Sequence, residues 1–366
     1  MTTSILINHL LEPPNRRSGI SNYVFSLLGE LLNNSDYRYT LATTWSRDQL
    51  PERLRDSALQ VRTLPFHRQQ VVNIAMQAIR LPGLLRRSGA ALEFNPNPVG
   101  QPFPFRPRVT VVHDLYFETL PHLYPPRHVF WWRRLFPPSL NTARRVICVS
   151  NQTRADLLAG HPGVAAKTLV VHEAGGVPVA VNPPAPAGGP YALFVANVAP
   201  TKNAAAVVAA LAILRERGVP LRVLHVGHDD ADRLAAARNQ PAGAAGVEAL
   251  GSVDDARLSA LYRHARFLLC PSFWEGFCLP LAEAQAHGTP AVASDIPILR
   301  EVGGEGALFV NPHDPVALAD AMVRLWTDDL LHARLATTAR ANAARFSWER
   351  AARETEAVFR AALASA

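Results

Sequence analysis

Glu275-Gly276-Phe277-Cys278-Leu279-Pro280-Leu281-Ala282-Glu283 decides how this chain is read. The apolar run Arg266-Phe267-Leu268-Leu269-Cys270 just before it reads as a buried strand. The alanine-rich pattern after it reads as a helix with Pro280 in the first turn, where a missing N–H costs little. The segment is therefore a strand, a short loop and a helix. One carboxylate sits in the loop and another in the helix's first turn. The N–H groups that open a helix lack intrahelical acceptors and make an anion site. Carboxylates that hold hydroxyls, beside amides that hold phosphate, suit a ligand carrying both groups.

The same alternation runs outward from this stretch. Strand candidates in the first half are 5–8, 39–43, 61–65, 91–94, 109–113, 146–150 and 169–172. Those in the second half are 191–196, 221–226, 247–251, 267–271, 291–294 and 307–310, with helical patterns between them. Near-continuous apolar strands alternating with helices predict parallel sheets covered on both faces, an α/β class. Between the halves, 177–190 is rich in Pro and Gly, without periodicity, and reads as a linker. The expected organisation is a Rossmann-like domain over 1–177, a linker over 178–190 and a second Rossmann-like domain over 191–347. Two such domains predict facing sheets and a cleft, with ligands outside the carboxyl ends of the strands.

Composition narrows the class. A chain of 366 residues is long for one core and suits two domains. Its 48% hydrophobic and 18% charged residues describe a globular chain. Cys148, Cys270 and Cys278 form no CxxC and read as buried thiols of a reducing compartment. The 13 histidines show no metal-ligand spacing, so no metal is expected. The N-terminus has no charged region followed by an apolar core, and no uncharged apolar run approaches membrane-spanning length. A cytoplasmic location is expected. Residues 1–182 hold 20 Lys+Arg against 11 Asp+Glu, whereas 183–366 hold 17 against 19, so the basic excess lies in the first half. No nucleic-acid motif accompanies it. An anionic membrane surface or a diphosphate-lipid partner fits this imbalance, as does an arginine-rich composition, since 35 of the 37 cations are Arg.

The stretch from Glu275 to Glu283 resembles the E-x7-E signature of family 4 glycosyltransferases, retaining nucleotide-sugar enzymes of the GT-B fold. Other landmarks stand in the family's order. His113-Asp114 is similar to its HD element, Val149-Ser150-Asn151-Gln152-Thr153-Arg154-Ala155-Asp156-Leu157 to its "VSxxxRxDL" segment, and Pro200-Thr201-Lys202-Asn203 to its "PRKN" turn. Gly288-Thr289-Pro290 and Asn311-Pro312-His313-Asp314-Pro315 follow as the usual downstream markers. Three positions depart from the pattern. Thr201 replaces an arginine, Cys278 replaces a glycine, and Gly19-Ile20-Ser21-Asn22 replaces "GxGR". If position 278 needs a positive φ, a residue with a Cβ is strained there.

The resemblance implies a hexosyltransferase that retains configuration at the anomeric carbon and needs no divalent metal or other cofactor. Its donor would be a nucleoside diphosphate sugar, with mannose from GDP-mannose the leading expectation. Its acceptor would be a glycan or polyprenyl-diphosphate-linked glycan of bacterial surface polysaccharide synthesis, at the inner face of the cytoplasmic membrane. It assigns catalysis to Glu275, His113 and Lys202. It assigns donor binding to Gly19, Lys202, Asn203, Glu275, the amides of Gly276, Phe277, Cys278 and Leu279, and Glu283, the last accepting ribose hydroxyls. It also implies that the C-terminal helix, 348–366, packs back on the first domain. A nucleotide-sugar epimerase of the same fold and a non-catalytic sugar-nucleotide binder are the alternatives. Arg16 and Arg17 flank the Gly19 loop and suit an anionic acceptor or plain solvation. Phe130-Trp131-Trp132-Arg133-Arg134-Leu135-Phe136 fits either a membrane interface or a helix with one buried aromatic face.

Overall fold

A computed structural model describes residues 3–14, 18–101, 104–179, 184–238 and 245–364. Arg16, Arg17 and residues 180–183 of the expected linker lie outside the described residues. The chain divides into two compact units, residues 1–173 with 347–366, and residues 174–346.

The first unit carries β1 (Ser4–His9), β2 (Arg38–Thr43), β3 (Gln60–Thr63), β4 (Ala90–Asn95), β5 (Arg108–Val112), β6 (Arg145–Cys148) and β7 (Thr168–Val170). The second carries β8 (Ala192–Val195), β9 (Arg222–Val226), β10 (Gly246–Gly251), β11 (Phe267–Cys270), β12 (Ala291–Ser294) and β13 (Ala307–Val310). Each strand expected from the apolar runs is present. The strands pair in parallel, in the orders β3-β2-β1-β4-β5-β6-β7 and β10-β9-β8-β11-β12-β13. The central strands are buried along their length, as β1 and β11 show. That burial is why they read as continuous apolar runs rather than alternating ones.

In both sheets the strand order reverses once, between β1 and β4 in the first and between β8 and β11 in the second. The loops leaving the carboxyl ends of such a pair diverge and open a crevice, the usual ligand position in doubly wound sheets. Lys202 follows β8 and Glu275 follows β11. The fold therefore delivers the two residues to one switch point, although 73 positions separate them in the chain.

The C-terminal helix Trp348–Ala364 belongs to the first unit. Its buried face presents Trp348 to Tyr23 at a ring separation of 5.7 Å and Phe359 to Phe94 at 5.1 Å. Phe359 is fully buried. Burial of one such ring contributes roughly 1.5–3 kcal/mol, and the helix also buries Ala351, Ala352, Val358 and Ala362. The boundary between the units falls after Glu173, so residues 174–177 group with the second unit.

Candidate functional site

In the second unit the site is built on a short turn, Pro200–Lys202, and on the loop between β11 and the helix Leu279–Ala286. Asn203 closes the turn in the left-handed conformation, at φ 52°. Its amide donates to the Pro271 carbonyl at 3.0 Å and the Pro312 carbonyl at 2.8 Å. The Phe273 N–H donates to the Thr201 carbonyl at 2.8 Å. Three loops are thus tied together by backbone acceptors. Asn203, assigned above to donor binding, spends its side chain on this bracing.

The brace sets Lys202 against Glu275. Nζ donates to Oε1 at 2.7 Å and to Oε2 at 2.8 Å, and Ser272 Oγ donates to Oε1 at 2.6 Å. The lysine side chain is 25% exposed and the glutamate 9%. Burial disfavours the ammonium, but the Glu275 carboxylate outweighs it and raises the lysine above its usual range. Lys202 is a fixed cation. An ammonium has three N–H donors and Glu275 engages two.

Cys278 precedes the helix with φ 76° and ψ 68°, so the position where the family carries glycine does require left-handed backbone. Its Sγ lies 3.8 Å from Cys270 Sγ, and both thiols are buried. No side chain caps this helix start. Pro280 has no N–H and the Leu281 N–H donates to the Cys278 carbonyl at 3.0 Å, so the Leu279 N–H is the first-turn donor left to a ligand. The backbone strain sets an order of stabilities. Cys278→Val, with a branched Cβ at positive φ, costs about 1–3 kcal/mol. Cys278→Gly stays within about 1 kcal/mol of the parent, because relief of strain offsets the lost contact and added chain entropy. Urea unfolding of the three proteins measures the order; a Val variant as stable as the parent would remove the constraint.

Phe277 turns its ring into the core, edge-on to Phe346 at 5.3 Å. Its side chain anchors the loop.

Glu283 is 4% exposed. Tyr262 Oη donates to Oε2 at 2.7 Å, and the Gly176 N–H donates to Oε1 at 3.2 Å. Burial raises this carboxyl, while the two donors pull it back. A Cβ on Gly175 would stand 3.1 Å from Glu283 Cα, so the segment after Glu173 packs directly on this helix. His287 Nδ1 donates to the Glu283 carbonyl at 2.8 Å, which fixes its tautomer and leaves Nε2 to accept from Ser259 Oγ at 2.9 Å. Tyr262, Gly175, Gly176, Ser272 and His287 were not singled out from sequence. The Gly-Gly pair a few residues after β7 was the one local signal available.

Gly19 and His113 belong to the first unit. Gly19 opens the helix Gly19–Asn34 behind the N-cap Ser18, whose Oγ accepts from Ser21 N at 3.0 Å. A Cβ at Gly19 would meet nothing within 4 Å, so the space beside it is open. His113 Nε2 lies 2.9 Å from the Pro96 carbonyl and Nδ1 lies 2.9 Å from Glu173 Oε1. A carbonyl only accepts, so Nε2 carries a proton, and a second proton on Nδ1, which would charge the ring, would be donated to Glu173. Burial opposes this charge, yet Glu173 and Asp114 raise the imidazole above its usual value. The His113 carbonyl accepts from Thr153 Oγ1 at 3.3 Å. Ring and carbonyl are engaged within this unit. No group of three or more His, Cys, Asp or Glu able to hold a metal occurs among the described residues.

Comparison with known proteins follows this geometry. Residues 17–174 match the family described as Glycosyltransferase Family 4, and residues 189–328 match Glycosyl transferases group 1. The chain is 28% identical over 261 residues to the O-antigen chain mannosyltransferase B of Escherichia coli, covering 68% of each. It is 34% identical over 156 residues to the phosphatidyl-myo-inositol mannosyltransferase of Mycobacterium tuberculosis H37Rv, covering 41% of each. Among solved structures, sucrose-phosphate synthase from Thermosynechococcus elongatus superposes with a TM-score of 0.76 at 19% identity, covering 100% of both chains. HepE of Anabaena in complex with UDP-glucose gives 0.75 at 15% identity, covering 97% of this chain and 99% of that one.

Proposed function

Because this chain belongs to the family 4, group 1 glycosyltransferases and has their GT-B fold, we propose that it moves a hexose from a nucleoside diphosphate sugar to a hydroxyl of a glycan or lipid-linked glycan. The observation that carries this reading is the Lys202–Glu275 pair beside an uncapped helix start, at the switch point of the second sheet. In the reaction the bond from the anomeric carbon to the donor phosphate oxygen breaks, a bond to the acceptor oxygen forms, and the acceptor hydroxyl's proton passes to the leaving diphosphate. Negative charge grows on the leaving diphosphate, and Lys202 with the Leu279 N–H at the helix start meets it. Those donors take the part that a divalent cation plays in other transferases, and configuration at the anomeric carbon is retained. Glu275 faces the sugar hydroxyls and Glu283 the ribose.

Mannose from GDP-mannose is the proposed donor, supported by likeness to two mannosyltransferases that otherwise share little of their names. The acceptor belongs to bacterial surface polysaccharide synthesis, reached at the inner face of the cytoplasmic membrane. No helix among the described residues is long and apolar enough to cross a membrane.

A thermal-shift panel of nucleoside diphosphate sugars tests this. A donor at 100 times its dissociation constant stabilises the native state by about 2.7 kcal/mol. GDP-mannose should raise the melting temperature most and be hydrolysed slowly in the absence of acceptor. Stabilisation without hydrolysis would favour a non-catalytic binder. No shift with any donor would overturn the reading.

A further inference from the structure

The helix Pro126–Thr142 has two aromatic faces, and only one is used by the fold. Val129, Phe136 and Leu140 are buried, and Trp132 packs on Phe117 at a ring separation of 5.4 Å. Phe130 and Trp131 point the other way, 61% and 46% exposed, stacked edge-to-face at 5.5 Å. Arg127, Arg133 and Arg134 are exposed on the same helix, which contains no acidic residue. Arg127, Phe130, Trp131 and Arg134 follow the three- and four-residue spacing of a single stripe. Beside it lies an open groove of about 580 Å³, lined by Pro121, Pro126, Val129 and Phe130 together with Arg133 and Arg134.

Folding leaves these rings exposed at the cost of unburied apolar surface, so the face suits a partner that is both apolar and anionic. A free nucleotide offers no apolar surface to Phe130, and a neutral protein face offers nothing to three arginines. An anionic bilayer offers both within one interface, with phosphates at the depth of the guanidinium groups and acyl chains just below. We propose that this face docks the first unit on an anionic membrane, with Phe130 and Trp131 entering the headgroup boundary and Arg127, Arg133 and Arg134 pairing with lipid phosphates. This deepens the lipid-linked acceptor reading by naming the surface that brings the chain to such an acceptor. Docking is measured without donor or acceptor, so its failure leaves the transferase reading intact.

The experiment is flotation of the full chain with phosphatidylcholine vesicles, with and without phosphatidylglycerol. The chain should float with the anionic vesicles alone and be released as salt rises. A basic side chain near an anionic surface contributes about a fivefold factor in binding. The Arg133→Glu/Arg134→Glu protein should therefore bind at least about tenfold more weakly. The Phe130→Ser/Trp131→Ser protein should lose binding to a similar extent, with an unchanged melting temperature because both rings are already exposed. Equal binding to neutral vesicles, or full binding by either variant, would overturn the proposal. So would self-association of the parent that disappears in the Phe130→Ser/Trp131→Ser protein, which would assign the face to a second copy.

Discussion

Lys202→Ala is expected to lower sugar transfer by about a hundredfold or more. A single preorganised donor aimed at developing negative charge is worth about 3–4 kcal/mol in transition-state binding, and each 1.36 kcal/mol is about tenfold in rate. Lys202 fits that description because Glu275 and Ser272 hold its surroundings before any ligand arrives. The family's neighbouring arginine is Thr201 here, so no second cation of that turn substitutes for it. The loss should appear mainly in kcat, since the charge develops only as the diphosphate leaves. Removal also leaves Glu275 with Ser272 as its remaining donor. Because the lysine is partly exposed, the stability cost should fall below the roughly 3–5 kcal/mol of a fully buried pair. Steady-state rates at a temperature where both proteins are folded separate the two effects. A drop below about tenfold would show that another donor carries the phosphate charge.

Much of this arrangement was legible in the sequence, and the boundary of legibility has a physical cause. The strands of the described residues were readable because a parallel sheet covered on both faces forces unbroken apolar runs. The strain at Cys278 was readable because backbone conformation is a local property, and the residue stands where a glycine was expected. Contacts between distant side chains were not readable. Tyr262 reaches Glu283 from 21 residues away and Gly176 from 107, and neither distance leaves a periodic trace. The contacts of the His113 ring with Glu173 and Pro96 were likewise set by where β7 and β4 end, not by local spacing. The bracing of the Pro271 and Pro312 carbonyls by the Asn203 amide was equally invisible to local pattern.

The aromatic segment 130–136 shows the same limit from another side. Its spacing fitted both a buried and an exposed face, and the helix carries both. Composition located the linker at 178–190, where Pro and Gly suppress periodic structure. The units instead divide after Glu173, because Gly175 packs on Glu283. Low periodicity marks missing secondary structure, whereas a domain boundary marks a change of packing partner.

Glu283→Gln is expected to raise KM for the donor by roughly 10–100-fold while kcat changes by less than about threefold. A hydrogen bond to a charged acceptor is worth about 1.5–3 kcal/mol, and the substitution keeps the shape while removing the charge. The local fold tolerates it for a specific reason. The glutamine oxygen can still accept from the Gly176 N–H, and its amide can donate to Tyr262, whose hydroxyl accepts as readily as it donates. Ribose lies away from the bond that breaks, so its binding is equal in ground and transition states and is lost in KM. Donors lacking a ribose hydroxyl provide the matched measurement. If Glu283 holds ribose, the deoxyribose donor should bind the parent weakly, and the Gln variant should weaken it little further. An unchanged KM with the full donor would instead leave Glu283 as a brace for the 174–177 segment, held by the same Tyr262 and Gly176 contacts seen here.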